Sequence, residues 1–280
     1  MANERGWVRY WRDADRPLEA MHAHFLDHVY APHSHDAYSF GITELGAQAF
    51  RCRGAQHTSA AGMVMALNPD EVHDGRAAAD LGYGYRIVHL GPSVVRSVLA
   101  DAAATTAQGP LPLFVRPVLT DPQLTGLLAG LHRALVGQSS ALEQQELLTA
   151  TVLALATRGA TKPPRLRPLA GSAQRQAALR ARALLDEAYL EPLSAEALAG
   201  AAGCSRFALY RSFRAEFGLA PSDYQRHLRL RRARLLLARG LPLAEAAGAS
   251  GFADQAHFTR WFKRAYGITP ATYQRSSGRR

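Results

Sequence analysis

LYRSFRAEFGLAPSDYQR, residues 209–226, returns 49 positions later as FTRWFKRAYGITPATYQR, residues 258–275. Arg211 aligns with Arg260, Phe213 with Phe262, Arg214 with Lys263, Gly218 with Gly267 and Pro221 with Pro270. Tyr224-Gln225-Arg226 repeats as Tyr273-Gln274-Arg275. Such a repeat is one supersecondary unit used twice. Each copy has the grammar of a helix-turn-helix. In the first, Ser194 caps a short helix with Ala197, Leu198 and Ala201 on its inner face. Gly203 makes the turn, Ser205 caps a second helix running to about Phe217, and Gly218 ends it. In the second, Pro242 opens the short helix, Ala246 and Ala247 face inward, and Gly251 makes the turn. Asp254 then caps a helix that runs to about Tyr266 and stops at Gly267. The stretch between them, SDYQRHLRLRRARLLLAR (222–239), has Leu228, Leu235 and Leu236 on an apolar side, with Arg229, Arg231, Arg232 and Arg234 crowding the rest. A rigid helix here would let both units enter successive major grooves, about 34 Å apart.

Charge supports a nucleic-acid partner. Residues 161–280 hold 21 Lys+Arg against 8 Asp+Glu, a balance of +13, while residues 1–160 hold 12 against 15, a balance of −3. A basic half neutralises phosphates and releases their counterions; the plainer alternative is a solvated basic face. Nearly all the cations of that half are Arg, Lys162 and Lys263 being the exceptions. Arg presents forked donors to phosphate and guanine.

Upstream the pattern changes. The first 120 or so residues read as short strands and turns, among them Ala37–Glu44, Ala47–Arg53, Gly62–Leu67 and Tyr83–Leu90, with Leu45-Gly46 suited to a hairpin. This density of strands predicts a β-barrel or sandwich. Leu124, Leu127, Leu128, Leu131 and Leu135 then share one helical face, and Leu142, Leu147 (less well phased), Leu148, Val152 and Leu155 mark a second helix. These stripes either cover the barrel or meet the same stripe in a second copy. Residues 159–174, GATKPPRLRPLAGSAQ, are rich in Pro, Gly and basic residues and read as a linker. The expected organisation is α+β in two domains: residues 1–160 a barrel with a helical dimerisation pair, 161–174 the linker, and 175–280 an all-α double helix-turn-helix. No apolar run reaches about 18 residues, so no membrane partner is expected. The opening MANERGWVRYWRDADR lacks a secretory core. Cys52 and Cys204 make no disulfide framework, which fits a cytoplasmic setting. Nucleotide-binding glycine loops and nucleophile elbows are absent, so no enzyme is expected.

Residues 193–275 resemble the DNA-binding domain of the AraC/XylS family of transcriptional regulators. The run GFADQAHFTRWFKRAYGITPATYQR (251–275) is close to that family's signature, and LSAEALAGAAGCSRFALYRSFRAEFG (193–218) fits as its first unit. The resemblance implies that the second helix of each unit reads double-stranded DNA. Arg206, Phe207, Tyr210 and Arg211 fall at the groove-facing places of the first; Gln255, Ala256, His257, Thr259 and Arg260 do so in the second. Gln255 suits adenine and Arg211 guanine. Phe207 is also a core candidate, and Lys263 and Arg264 suit phosphates better than bases. The family further implies a homodimer controlled by a small-molecule effector, more often an activator than a repressor, with RNA polymerase contact compatible with that role.

Nine of the eleven histidines lie in the first 160 residues. His33-Ser-His35 and Pro69-Asp-Glu-Val-His73 resemble the two half-motifs of a cupin barrel, the fold of AraC-type sensors. The metal-binding version carries a carboxylate soon after the paired histidines; here Glu44 stands nine positions after His35, and Glu71 replaces the usual Gly. The imidazoles of His33, His35 and His73 could bind metal, hold an organic ligand or serve as turn residues. The resemblance favours the organic ligand, so neither cofactor nor metal is expected. Tyr38, Phe40, Arg51 and Arg86 join the cavity if their strand faces point inward.

Overall fold

The structure is a computed structural model that describes residues 6–103, 109–167 and 171–277. Two compact units emerge: Met1–Gly137 with Leu147–Pro168, and Gln138–Glu146 with Leu169–Arg280. Both boundaries differ from the expected ones. Residues 138–146 belong to the helical unit, and a helix starts at Gly171 inside the stretch read as linker. Residues 168–170 of that linker lie outside the described residues.

The first unit is an open antiparallel barrel. Its strands are β1 (Trp7–Arg12), β2 (Leu18–Phe25), β3 (Tyr30–His33), β4 (Tyr38–Cys52), β5 (Ala55–Ala60), β6 (Val64–Leu67), β7 (His73–Ala77), β8 (Tyr83–Leu90) and β9 (Val118–Leu119). One path runs β1-β2-β8-β4-β6-β9, and β5, β7 and β3 continue from the far end of β4. The hairpin expected at Leu45-Gly46 does not form. β4 passes straight through as one 15-residue strand, with a register shift between Thr43 and Leu45. Gly46 sits there at φ +66°, where a Cβ would collide with the carbonyl oxygen of Gly82. Only glycine takes that conformation and that close approach together. The bulge also shifts the side-chain alternation, so that Phe50 and Cys52 join Ala23, Met65, Leu67, Tyr83, Tyr85 and Ile87 in the interior.

Helices close the outer faces: α1 (Pro92–Ala102), α2 (Pro122–Val136) and the greater part of α3 (Ala141–Arg158). Asp121 caps α2 by accepting from the amides of Gln123 and Leu124. Leu124, Leu128, Leu131 and Leu135 of α2, and Leu148, Val152 and Leu155 of α3, are all buried within the single chain. In the single chain these residues cover the barrel. Among the described residues, no helix is long and apolar enough to cross a membrane.

The second unit comprises α4 (Gly171–Ala188), α5 (Ala195–Ala202), α6 (Arg206–Phe217), α7 (Pro221–Ala238), α8 (Leu243–Gly248), α9 (Gln255–Tyr266) and α10 (Pro270–Ser277). It has two small cores, one per repeat. Leu142, Ala177, Ala181, Leu198, Ala202, Leu209 and Phe213 build the first; Leu230, Ala233, Ala246, Ala247, Phe258 and Phe262 build the second. Alanines on the short helices let the aromatic residues of α6 and α9 approach closely.

Candidate functional site

Each helix-turn-helix is set by its own capping residues. Ser194 accepts from the Ala197 amide, Ser205 from the Ala208 amide and Asp254 from the His257 amide. Gly203 and Gly251 occupy equivalent left-handed positions at φ +66° and +78°, which makes each turn sharp. Behind each turn lies an arginine. Arg180 on α4 donates from Nε to the Ala202 carbonyl at 3.0 Å. Arg229 on α7, again 49 residues on, donates to the Gly251 carbonyl at 2.8 Å and also to Tyr189, Leu190 and Glu191. Both guanidinium groups neutralise the carbonyl end that follows a short helix. Gln225 and Gln274 are a second matched pair. The first donates to the carbonyls of Tyr189 and Glu191, the second to that of Leu241, in each case just ahead of the unit's short helix. The repeat is thus longer than its sequence identities: α4-α5-α6-α7 and α7-α8-α9-α10 are two turns of one construction.

The exposed faces of α6 and α9 carry most of the expected readers. On α6, Arg211 is exposed, with its guanidinium 5.2 Å over the Phe207 ring. Tyr210 accepts from Arg214 at 2.7 Å through its hydroxyl, and Arg206 pairs with Glu196 at 2.7 Å. Phe207 itself is only 1% exposed and is core, which removes it from the groove. On α9, Gln255, Ala256, Arg260 and Lys263 are exposed and Thr259 is half-exposed. His257 turns back toward its own unit: its Nε2 accepts from the Trp261 indole at 2.8 Å, which assigns the ring proton to Nδ1. Burial, with Arg260 and Arg226 nearby, holds its pKa below the ordinary histidine value. Arg229 and Arg232, placed on the charged side of the connecting helix, bond to backbone carbonyls instead of projecting freely.

In the barrel, His33, His35 and His73 come together, their ligating nitrogens all within 4.8 Å of one another. His89 at the end of β8 joins them: its ring stands 4.6 Å from that of His35, and its Nδ1 meets the Ser39 hydroxyl at 2.9 Å. Burial and then the neighbouring imidazoles lower the His89 pKa to about 4, and the same causes lower His35. His73 is lowered too, chiefly by burial. At His35, His73 and His89 the shift favours the neutral imidazole. Further inside, the hydroxyls of Tyr30 and Tyr85 are 2.9 Å apart, and the Tyr83 hydroxyl is buried with no hydrogen-bond partner among the described residues. An unsatisfied hydroxyl costs about 1–3 kcal/mol, a cost that a bound polar molecule would relieve.

The other four expected cavity residues are elsewhere, Phe40 stacking on Tyr38 and meeting Phe114 edge-on. Tyr38 faces the covering helices and donates to the Pro112 carbonyl at 2.8 Å. Arg51 is exposed, its inward neighbours being Phe50 and Cys52. Arg86 lies beneath α2, bonded to Glu44 at 2.6 Å, with His132 beyond it and His22 on the other Glu44 oxygen at 2.8 Å. A separate surface cavity of about 490 Å³ has Arg96, Lys162, Arg165 and Arg167 around it and touches none of the imidazoles.

Residues 17–156 match the family model described as an AraC-like ligand binding domain, and residues 198–276 match a helix-turn-helix domain. The chain belongs to the AraC family. It is a DNA-binding transcriptional regulator with a ligand-binding domain. Relatives of this AraC-family chain include the HTH-type transcriptional regulator YbfI of Bacillus subtilis, 27% identical over 80% of each chain. The HTH-type transcriptional activator RhaS of Escherichia fergusonii is 26% identical over 86% of each. Among solved structures, an AraC-type regulator from Chromobacterium violaceum is 32% identical over 37% of this chain and 93% of its own, with a TM-score of 0.35. In this family member, sequence reasoning missed His89, Tyr83 and Tyr85. The alternation Tyr83, Tyr85, Ile87, His89 along β8 was the available signal, and it places Arg86 on the opposite face.

Proposed function

We propose that this chain is a sequence-specific transcriptional activator whose DNA binding is controlled by a small-molecule effector held in the barrel, among His33, His35, His73, His89 and the inward tyrosines. The single observation behind the DNA-binding half is the matched pair of capped helices, α6 and α9, each with an exposed arginine at the equivalent position, Arg211 and Arg260. Support for the effector half comes from the four converging imidazoles and the unsatisfied Tyr83 hydroxyl. A small molecule that binds two arrangements of the protein unequally shifts the equilibrium between them.

The test uses the full chain and duplex DNA from the promoters nearest its gene. Site-specific binding is expected, with affinity falling steeply with salt. If six to ten phosphates are contacted, the loss is about 10³–10⁵-fold between 50 and 200 mM. Binding that is indifferent both to salt and to DNA sequence would sink the proposal.

A further inference from the structure

Two departures from the internal repeat touch each other. Trp261 stands where the first unit has Ser212, and His257 where it has Ala208. The Trp261 indole donates to Nε2 of His257 at 2.8 Å. On the ring of Trp261 lies the guanidinium of Arg226 from α7, 3.7 Å from the centroid. That side chain is 9% exposed, and its edges meet Glu143 at 2.8 Å and Asp223 at 2.5 Å. Arg275, which matches Arg226 in the repeat, is exposed and reaches the Thr272 hydroxyl at 3.5 Å. The Arg226 arrangement is therefore no part of the construction that the two units share. Glu143 comes from the first turn of α3, outside the repeat, and belongs with the others to the second compact unit.

The reading helix α9 is anchored from beneath by Phe258 and Phe262, both fully buried. Apolar burial is non-directional, so these two contacts tolerate a roll of the helix about its axis. The Arg226 contact is directional. A planar guanidinium stacked on a ring and forked between two carboxylates has its plane fixed by all three neighbours. An ammonium in its place would keep the charge and lose the plane. A cation on a ring face also holds more firmly where water is excluded, as it is here. The far end of this line, His257, sits in the first turn of α9, two residues from the exposed Gln255. Recognition geometry must hold to about 0.5 Å, so the roll of α9 decides whether Gln255 meets a base edge or a phosphate.

We infer that Arg226, held by Glu143, is a positioning residue for DNA reading: through Trp261 and His257 it fixes the pose of α9 on the bases, without reaching the DNA itself. This rests on the DNA-binding half of the proposed function.

The experiment mixes the full-length protein with a random-sequence duplex library at one salt concentration and sequences the bound fraction. Two blocks of preferred bases are expected. The block that Arg211→Ala relaxes is read by α6, and the other by α9. Arg226→Lys and Trp261→Phe should each lower discrimination in the α9 block by about 10-fold, the scale of one good base contact. The α6 block and the salt dependence should stay as they were. The double variant should be no worse than either single one, because both cut the same line; independent sites would multiply their effects. Glu143→Gln keeps an acceptor without the charge, and should give the same change at about 3-fold, the scale of a partly exposed ion pair. Leu230→Val, in the core of the same unit, should lower the melting temperature and leave both blocks intact, which separates positioning from loss of stability. Variants that weaken both blocks equally, spare the α9 block or multiply in combination overturn the positioning role, and so does Leu230→Val if it reproduces their effect. A single block, erased by Arg211→Ala, overturns it too, since α9 then reads nothing. No enriched sequence with the unaltered protein sinks sequence-specific binding itself, and the role of Arg226 with it.

Discussion

At the scale of single residues, the two reading helices invite a division of labour. Arg211 on α6 stands with Tyr210 and Arg206, large groups with donors at hand, whereas Arg260 on α9 stands with Gln255, Ala256 and Thr259. Base contacts discriminate by about 1–3 kcal/mol each, while phosphate contacts weaken all sequences alike. Arg211→Ala should therefore relax the preference at particular bases of the half-site bound by α6, and Arg260→Ala should lower affinity for cognate and scrambled sites by similar factors. Binding of both variants to an operator library at one salt concentration checks this; the reverse pattern would exchange their roles. The sequence was legible for residues whose task depends on local spacing. The caps, the turn glycines and the histidine half-motifs are set by neighbours a few positions away. It was illegible where facing depends on parity. Tyr38, Arg51 and Arg86 were grouped with a cavity that their strand faces turn away from: the shift between Thr43 and Leu45 means that Tyr38 and Arg51 of β4 cannot be assigned by one alternation, and Arg86 belongs to the opposite face of β8 from Tyr85 and Ile87. His257 was taken for a reader, and its bond to Trp261, four residues along the same helix, shows how a polar side chain can be spent inside its own unit.

At the scale of elements, helix periodicity was legible: the stripes from Leu124 to Leu135 and from Leu142 to Leu155 lie on the helices Pro122–Val136 and Ala141–Arg158. What the period could not say is what the stripe meets. Leu131 is fully buried in the single chain, so a charge there is a folding lesion before it is an interface lesion. Leu131→Arg should destabilise the barrel unit by several kcal/mol, since an unpaired buried cation is among the costliest substitutions. Thermal denaturation reads this directly. An unchanged melting temperature, with a change in sedimentation instead, would mean that the α2 stripe faces a second copy after all. The arginines of α7 carry the same lesson. A basic stripe looked like a phosphate-facing surface, yet Arg229 and Arg232 close the carbonyl ends that follow α8. Charge on a helix counts toward DNA only after the helix termini around it have taken their share.

At the scale of the whole molecule, the opening of α3 is the part least visible in the sequence. Leu142 is fully buried in the first core of the helical unit, and the Gln145 side chain accepts from the Ala195 amide at 2.7 Å. Glu143 pairs with Arg226 at 2.8 Å, and the Glu146 carboxyl accepts from the amide and hydroxyl of Ser222 at 3.1 and 2.5 Å. Burial pushes the Glu146 pKa up to about 8, against the pull of the Ser222 hydrogen bonds. The unfolded chain then releases this proton near the ordinary carboxylate value, while the folded chain keeps it until about pH 8. Through that window the folded state binds the extra proton, so stability falls as pH rises. Glu146→Gln, neutral at every pH, should flatten this slope and raise the melting temperature at pH 8 more than at pH 5. An equal shift at both would show that the carboxyl is already ionised in the fold. The chain therefore crosses from the first unit to the second, back, and across again, so that no single point in the gene separates them. Recombination that joined this DNA-binding half to a foreign sensor at the proline-rich stretch would leave nine residues behind with the wrong partner. A productive exchange must carry two pieces, or must borrow from the new sensor a helix that opens with the same leucine and glutamate. For that reason chimeras of this regulator should be built with residues 138–146 travelling as part of the DNA-binding half.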